Sequence, residues 1–263
     1  MNHSGGIKGL LIDLDGVLYV GAQVISGAIE TINNIRQHNI PCRFITNTST
    51  VSRQSLHHKL TSLGFQVQVE DIISAPQAAL YYIQQYSDPV CYLLLADDVK
   101  QDFQSFRQSD KQADFVIIGD IANTWSYDIL NTAFRLLNQG AKLIAIHKNR
   151  YWQTEQGLQM DIGGFITALE YVSNQQAIVI GKPSLDFFQV ALEDIGLPAH
   201  QIAIIGDDIE SDIGGGQAAG LQGVLVRTGK FRQQIVDHSL INPDLIIDSI
   251  ADLPGLLGIE KTV

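Results

Sequence analysis

The amino-acid sequence predicts an α/β protein with a Rossmann-like parallel sheet and a second α/β domain inserted into the first. Short apolar runs alternate along the chain with segments of helical period. Polar side chains directly follow several of these runs, as they do at the carboxyl edge of a parallel sheet. A long middle segment with strands and helices of its own separates the first of these polar groups from the last.

The predicted strands are apolar runs that recur along the whole chain. In order, they read LLID, CRFIT, CYLLLA, ADFVIIG, KLIAI, AIVIG, IAIIGD, GVLV and LIID. Between them lie segments such as SGAIETINNIRQHN, SYDILNTAFRLLNQG and LDFFQVALEDIG, which space apolar residues as amphipathic helices do and end at Gly or Asn. This alternation predicts a parallel sheet with helices on both faces.

The domain boundaries follow from where the polar groups fall. Asp13 and the Thr46-Asn47 pair lie in the first part of the chain, and Lys182 and Asp207 lie in the last part. We therefore expect a core domain made of residues 1–76 and 182–263, with residues 77–181 inserted as a second domain. Within that insert, the acidic pair Asp97 and Asp98 is expected in a solvated turn.

Composition argues against several partners. The chain has 263 residues and a formal net charge of −11, whereas proteins that bind nucleic acid usually display a basic face. The N-terminal residues lack the regions of a signal peptide, and no apolar run approaches the roughly 20 residues of a membrane span. Cys42 and Cys91 lie in apolar stretches and are expected to be buried thiols. We expect a cytoplasmic protein without a nucleic-acid or membrane partner.

Asp13 and Asp15 form an acidic pair where a predicted buried strand ends. Two close carboxylates repel each other, so such a pair needs a cation or a retained proton. Asp13 can bind a hard cation and attack an electrophile, while Asp15 can hold a proton for a leaving group. Asp207 would complete an oxygen-rich site suited to Mg²⁺, and the sequence has no His/Cys spacing typical of zinc.

Hydrogen-bond donors accompany these acids at other predicted strand ends. Thr46, Asn47 and Lys182 supply a hydroxyl, an amide and an ammonium group that can bind phosphoryl oxygens. Each signal is weak alone, because a lone lysine is usually solvated and a TNTST stretch is often a polar turn or a helix cap. Their joint occurrence at strand ends favours a phosphoryl-transfer site.

The motifs DLDGVLYVG, FITNTS, VIGKP and IGDDIESDIGGGQAAG together resemble those of the haloacid dehalogenase (HAD) superfamily of aspartate-nucleophile phosphatases, in its NagD-like subfamily IIA. The resemblance covers nearly the whole chain. It implies the HAD fold, with a C2-type cap inserted between the second and third motifs. It also implies a Mg²⁺-dependent phosphoric monoester hydrolase that forms an aspartyl-phosphate on a small phosphorylated substrate.

The resemblance further implies a role for each matching residue. Asp13 would be the nucleophile, and Asp15 the general acid and then the base for the attacking water. Mg²⁺ would be held by Asp13, the main-chain carbonyl of Asp15 and Asp207.

The other residues that match the family's motifs would bind the phosphate group or orient the groups around Asp13. Thr46 and Asn47 would hold phosphate oxygens, and Lys182 would bridge the phosphate and the nucleophile. Asp212 would orient Lys182 or a metal-bound water, and Asp208 would have a supporting role.

Selectivity is expected from the inserted domain, because the phosphoryl group is common to all substrates. The stretch HKNRYW is the richest candidate: His147 and Arg150 could hold an anionic leaving group, and Tyr151 could stack on a ring. A polar loop with its aromatic residues packed beneath it is an equal alternative. Phosphate esters, phosphoamidates and pyrophosphate all stay open as substrates, and a homodimer through the cap is plausible.

Two other functional classes compete with the phosphatase. A receiver-like regulator would also bind Mg²⁺ and accept a phosphoryl group, but Asp15 and the long insertion weigh against it. A non-catalytic binding protein on the same fold would be favoured if Asp13, Asp15, Lys182 or Asp207 were replaced, and all four are present.

Overall fold

The structure is a computed structural model that describes residues 6–154 and 157–259. Its chain divides into two units. The first comprises Met1–Thr46, Leu56–Ile73 and Lys182–Val263, and the second comprises Asn47–Ser55 and Ser74–Gly181. The division after Ile73 lies slightly before the expected boundary at residue 76, and a short segment after Thr46 also belongs to the second unit.

In chain order, the strands are β1 (Gly9–Asp13), β2 (Tyr19–Val20), β3 (Gln23–Val24), β4 (Cys42–Thr46), β5 (Ile72–Ser74), β6 (Val90–Leu94), β7 (Arg107–Gln108), β8 (Phe115–Ile118), β9 (Lys142–Ala145), β10 (Tyr151–Thr154), β11 (Gly157–Met160), β12 (Ile178–Val179), β13 (Ile202–Gly206), β14 (Gln222–Val226) and β15 (Leu245–Ile247). All the runs predicted as strands form strands. Short strands such as β2, β3 and β7 were not predicted, because they have only two residues each and no apolar run.

In chain order, the α-helices are α1 (Ala28–Gln37), α2 (Arg53–Ser62), α3 (Ala75–Gln84), α4 (Asp97–Lys100), α5 (Tyr127–Asn138), α6 (Gly163–Ser173), α7 (Leu185–Ile195), α8 (Gly215–Ala218), α9 (Gln233–His238) and α10 (Leu253–Leu257). A π-helical segment over Ile209–Gly214 precedes α8. No helix among the described residues combines the length and apolar character that crossing a membrane requires.

The first unit is built on a six-stranded sheet in the order β15-β14-β13-β1-β4-β5. Strand β1 pairs in parallel with both β13 and β4, and every residue of β1 and β13 is buried, as expected for continuous apolar runs in a parallel sheet. Helix α1 packs on α10, and α7 packs on α8. The chain order reverses between β1 and β13, and ligands of open α/β sheets bind beyond the strand ends at such a point.

The second unit contains a parallel five-stranded sheet in the order β12-β9-β8-β6-β7, and β10 and β11 form a separate antiparallel pair. Helices α5 and α6 pack together, and their apolar residues join those of the sheet in one core. The predicted α/β class with parallel sheets is confirmed.

Two local expectations need correction. The run AIVIG, which precedes Lys182, forms β12 in the sheet of the second unit, so Lys182 does not follow a strand of the core sheet. Asp97 is exposed, but Asp98 is half-buried and accepts hydrogen bonds, so the pair is not simply a solvated turn. Cys42 and Cys91 are free and buried, as predicted.

Candidate active site

Three predicted site residues lie at the carboxyl edge of the six-stranded sheet. Asp13 ends β1, Thr46 ends β4 and Asp207 directly follows β13. All three are buried. Because β4 and β13 flank β1 in parallel, their ends meet at the same edge of the sheet.

Lys182 joins this group through two buried ion pairs. Its Nζ lies 2.5 Å from Oδ1 of Asp13 and 2.7 Å from Oδ1 of Asp212, which stands in the π-helical segment. Burial alone would lower the pKa of Lys182, but the two carboxylates outweigh it and raise the pKa. The ammonium group is therefore charged, and Asp212 holds it against Asp13.

The site contains more negative charge than Lys182 offsets. Asp13, Asp207 and Asp212 each offer an oxygen, and these atoms lie within 4.8 Å of one another. Burial raises the pKa of Asp13 to about 7 in spite of the opposing charge of Lys182, with Asp212 and Asp207 adding to the rise. Burial likewise raises the pKa of Asp207 to about 6.

This charge balance fits a divalent cation. If all three carboxylates are ionised and Lys182 neutralises one, two negative charges are left over in a buried place. The donors are all oxygen atoms, which suit Mg²⁺ better than zinc.

Asp15 differs sharply from Asp13, although only Leu14 separates them. Its side chain is exposed, whereas Asp13 is buried. Asp15 is not part of the buried carboxylate group, in which Asp212 stands beside Asp13 and Asp207. The turn that follows Asp15 is closed by a 2.7 Å hydrogen bond from the Gly16 N–H to the Tyr19 carbonyl.

Asp208 stabilises the start of the π-helical segment. Its Oδ1 accepts hydrogen bonds from the backbone N–H groups of Glu210 and Ser211, at 3.1 and 3.0 Å. Burial would raise the pKa of Asp208, but these N–H groups and the Lys230 ammonium outweigh it and lower the pKa. Asp208 thereby helps to hold the segment that carries Asp212.

A loop that was not predicted from the sequence also contacts the site. The Lys230 N–H donates to Oδ2 of Asp207 at 2.6 Å, and the Thr228 hydroxyl donates to the Gly16 carbonyl at 2.5 Å. The signal was present, since the apolar run GVLV is followed by RTGK, the same pattern of strand and polar group used for the other strand ends.

The predicted cap residues have different surroundings. His147 is buried, with its Nε2 3.1 Å from the Ser49 hydroxyl, and burial lowers its pKa although Asp161 and Asp120 oppose the shift. The imidazole is therefore neutral near pH 7, which does not match the expectation of a cation there. Arg150 is exposed, and the side chain of Tyr151 lies outside the described residues.

Asn47 is the first residue of the second unit, directly after Thr46 in the chain. It is half-buried, and its amide oxygen lies close to Gly181, where a Cβ would come within 2.8 Å of it. Asn47 and Gly181 are thus packed together where the chain enters and leaves the second unit.

Two protein-family models match the chain. Residues 10–107 match the family model described as haloacid dehalogenase-like hydrolase, and residues 179–253 match a related HAD-hydrolase-like model. The chain is 41% identical over 238 residues to haloacid dehalogenase-like hydrolase domain-containing protein 2 of Bos taurus, covering 90% of each chain.

The chain is also similar in sequence to a phosphatase and in structure to a solved protein. The chain is 38% identical over 259 residues to the phospholysine phosphohistidine inorganic pyrophosphate phosphatase of Homo sapiens, covering 96% of this chain and 94% of that one. The structure of NagD from E. coli K-12 has a TM-score of 0.85 at 24% identity, covering 94% and 98% of the two chains. At this identity, the likeness to NagD is one of fold.

Proposed function

The chain belongs to the haloacid dehalogenase-like hydrolase family, and we propose that it is a NagD-like phosphatase. It hydrolyses a small phosphorylated substrate through an aspartyl-phosphate on Asp13, with Mg²⁺ as cofactor. One observation carries this proposal. The Lys182 ammonium contacts both Asp13 and Asp212 within a buried carboxylate group that includes Asp207.

The first step is attack by Asp13 on phosphorus. Lys182 binds Oδ1 of Asp13, so we assign the attack to Oδ2. A bond forms between Oδ2 and phosphorus, the bond from phosphorus to the leaving-group oxygen breaks, and Asp15 gives its proton to that oxygen. Asp15 is suited to this task because its exposed carboxyl group can exchange protons with solvent.

The second step returns the enzyme to its starting state. Asp15, now a carboxylate, accepts a proton from a water molecule that attacks phosphorus. The bond between phosphorus and Asp13 then breaks, and inorganic phosphate leaves. Thr46, Asn47 and Lys182 donate hydrogen bonds to the phosphoryl oxygens, whose charge is greatest in the transition state.

Asp13, Asp207 and the main-chain carbonyl of Asp15 would hold Mg²⁺, with Asp212 beside them. When bound, the cation neutralises charge on the phosphoryl oxygens and on the carboxylates. We further propose that the second unit is the cap that selects the leaving group, since the chain enters it after Thr46 and leaves it before Lys182.

Hydrolysis of p-nitrophenyl phosphate, with Mg²⁺ or with EDTA, tests the proposal. We expect turnover only with Mg²⁺, and we expect Asp13→Asn to abolish it while the circular dichroism spectrum stays that of the wild type. Unchanged turnover in Asp13→Asn would exclude the mechanism. A single stoichiometric release of p-nitrophenol without turnover would instead favour a receiver.

The substrate class is tested with a wider panel. Phosphate esters, phosphohistidine, phospholysine and pyrophosphate should be compared in the wild type and in Arg150→Ala. If exposed Arg150 binds an anionic leaving group, its loss should raise KM for substrates with anionic leaving groups more than for p-nitrophenyl phosphate.

A further inference from the structure

The loop Thr228–Lys230, which follows β14, contacts two parts of the candidate site. Its Lys230 N–H donates to Oδ2 of Asp207 at 2.6 Å. Its Thr228 hydroxyl donates to the carbonyl of Gly16 at 2.5 Å, across 212 positions of the chain. We call this segment the 228–230 loop. One of its hydrogen bonds thus holds a carboxylate of the site, and the other holds the turn that follows Asp13 and Asp15.

The backbone of this loop lies so close to Asp207 that only glycine fits. A Cβ on Gly229 would lie 2.0 Å from Oδ2 of Asp207 and 2.5 Å from the Cα of Gly16. A Cβ on Gly16 would lie 1.9 Å from the same Oδ2. Both glycines have positive φ angles, 60° and 89°, which side chains disfavour. The Asp207 carboxylate therefore packs directly against the backbone of Gly16 and of Gly229.

We propose that the 228–230 loop is a positioning element that orients the Asp207 carboxylate, and the turn that carries Asp15, for Mg²⁺ binding. The proposal rests on the function proposed above. Groups that hydrogen-bond to a metal-binding carboxylate orient it, and their loss typically weakens metal binding by about 10- to 100-fold. Thr228, Gly229 and Lys230 contact neither substrate nor the reacting atoms in this assignment, so they are positioning residues and not catalytic ones.

The sharpest test replaces Gly229 by alanine. Gly229→Ala places a methyl group 2.0 Å from Oδ2 of Asp207, so the carboxylate must move. The matched control is Gly196→Ala. Gly196 also has a positive φ angle, 70°, but a Cβ there meets no atom within 4 Å. The control reproduces the backbone strain of the substitution without disturbing Asp207.

Mg²⁺ binding by isothermal titration calorimetry and the melting temperature without Mg²⁺ are measured for both variants. We expect the melting temperature to fall in both variants because of the shared positive φ angle, and to fall further in Gly229→Ala, whose Cβ also meets Asp207 and Gly16. We expect Mg²⁺ affinity to fall at least about 10-fold in Gly229→Ala alone. Equal Mg²⁺ affinities in the two variants would overturn the proposal.

A second pair of variants keeps the test decisive if Gly229→Ala does not fold. Thr228→Val removes the hydroxyl bound to Gly16 while keeping the side-chain shape, and Thr228→Ser keeps the hydroxyl. We expect Thr228→Val to bind Mg²⁺ about 10-fold more weakly and Thr228→Ser to restore the binding. Equal binding by the two Thr228 variants would count against the role of this bond.

The wild-type titration separates the two proposals. If the wild type binds no Mg²⁺, the proposed function fails and takes the positioning role with it. If the wild type binds Mg²⁺ and hydrolyses p-nitrophenyl phosphate, but neither Gly229→Ala nor Thr228→Val alters the affinity, only the positioning role fails.

Discussion

At the residue scale, Asp13 and Asp15 have the same chemistry and opposite surroundings. Asp13 is buried and bound to Lys182, while Asp15 is exposed two positions later. A buried carboxylate held by an ammonium group is suited to stay ionised and attack, once a cation offsets the remaining charge. An exposed carboxyl group can exchange protons with a leaving group and with water.

If exposed Asp15 is the proton donor, the loss of activity in an Asp15 variant should depend on the leaving group of the substrate. Asp15→Asn removes the proton donor, so the loss of kcat/KM should be large for alkyl phosphates, about 10²- to 10⁴-fold. It should be smaller for p-nitrophenyl phosphate, because nitrophenolate departs readily without a proton. Steady-state kinetics on both substrates measures the two losses. Equal losses would show that Asp15 is not the general acid.

Because His147 is buried, we expect the stability of the folded protein to depend on pH. Burial lowers its pKa below the ordinary value of 6.5, so the unfolded chain binds a proton more readily than the folded chain. The contribution of His147 to stability should therefore be present above about pH 6.5 and be lost as the pH falls through the lower folded-state pKa.

Urea unfolding between pH 7.5 and about 5 measures this effect. We expect His147→Gln, which keeps a polar side chain for Ser49, to lose less stability on acidification than the wild type does. His238→Gln is the control, because His238 is exposed and its Nδ1 lies 2.7 Å from the main-chain carbonyl of Gln234. Parallel pH profiles for the wild type and His147→Gln would contradict the assignment.

At the element scale, the start of α2 depends on an acidic residue far along the chain. The Asp98 carboxylate accepts hydrogen bonds from the Ser52 N–H at 2.7 Å and from the Ser55 hydroxyl at 3.1 Å. Ser52 in turn caps the helix by accepting the Ser55 N–H at 3.2 Å. Helix starts have unpaired N–H groups and favour negative charge, so Asp98 stabilises this end of α2.

Removing this contact should destabilise the protein. We expect Asp98→Ala to lower the free energy of unfolding by about 1 kcal/mol, the usual effect of losing a helix cap. Asp97→Ala is the matched control, since Asp97 is exposed and pairs only with Lys100 on the same short helix. Urea unfolding of the two variants measures the difference, and equal stability would argue against the capping role.

At the scale of the whole molecule, the net charge of −11 includes the buried carboxylates of the site. A ligand that binds only the folded state stabilises it by an amount that grows with its concentration. Mg²⁺ held by these carboxylates would have this effect, since an unfolded chain no longer brings Asp13 and Asp207 together.

The melting temperature should therefore rise with Mg²⁺. At a concentration 100 times the Kd, linkage gives about 2.7 kcal/mol of added stability. Scanning calorimetry in MgCl₂, compared with NaCl at equal ionic strength, measures the shift. We expect the specific rise to vanish in Asp207→Asn. A rise of the same size in NaCl would mean that general screening is responsible.

The fold class and most of the candidate site could be predicted from the amino-acid sequence. Parallel strands buried on both faces favour near-continuous apolar runs, which are visible in the sequence at β1 and β13, and at β4 with Arg43 as an interruption. Because the ends of such strands share one edge of the sheet, the positions of Asp13, Thr46 and Asp207 followed from local pattern alone. The identity of the motifs then pointed to the family.

The contacts of the remaining groups follow from the packing of elements that are distant in the chain. Lys182 follows a strand of the other sheet, yet it reaches Asp13 across 169 positions, and Thr228 reaches Gly16 across 212. His147 sits in a polar stretch of the sequence but is buried in the structure. The sequence marks Lys182 and the RTGK stretch as polar groups after apolar runs, but the atoms that they contact depend on how distant elements pack.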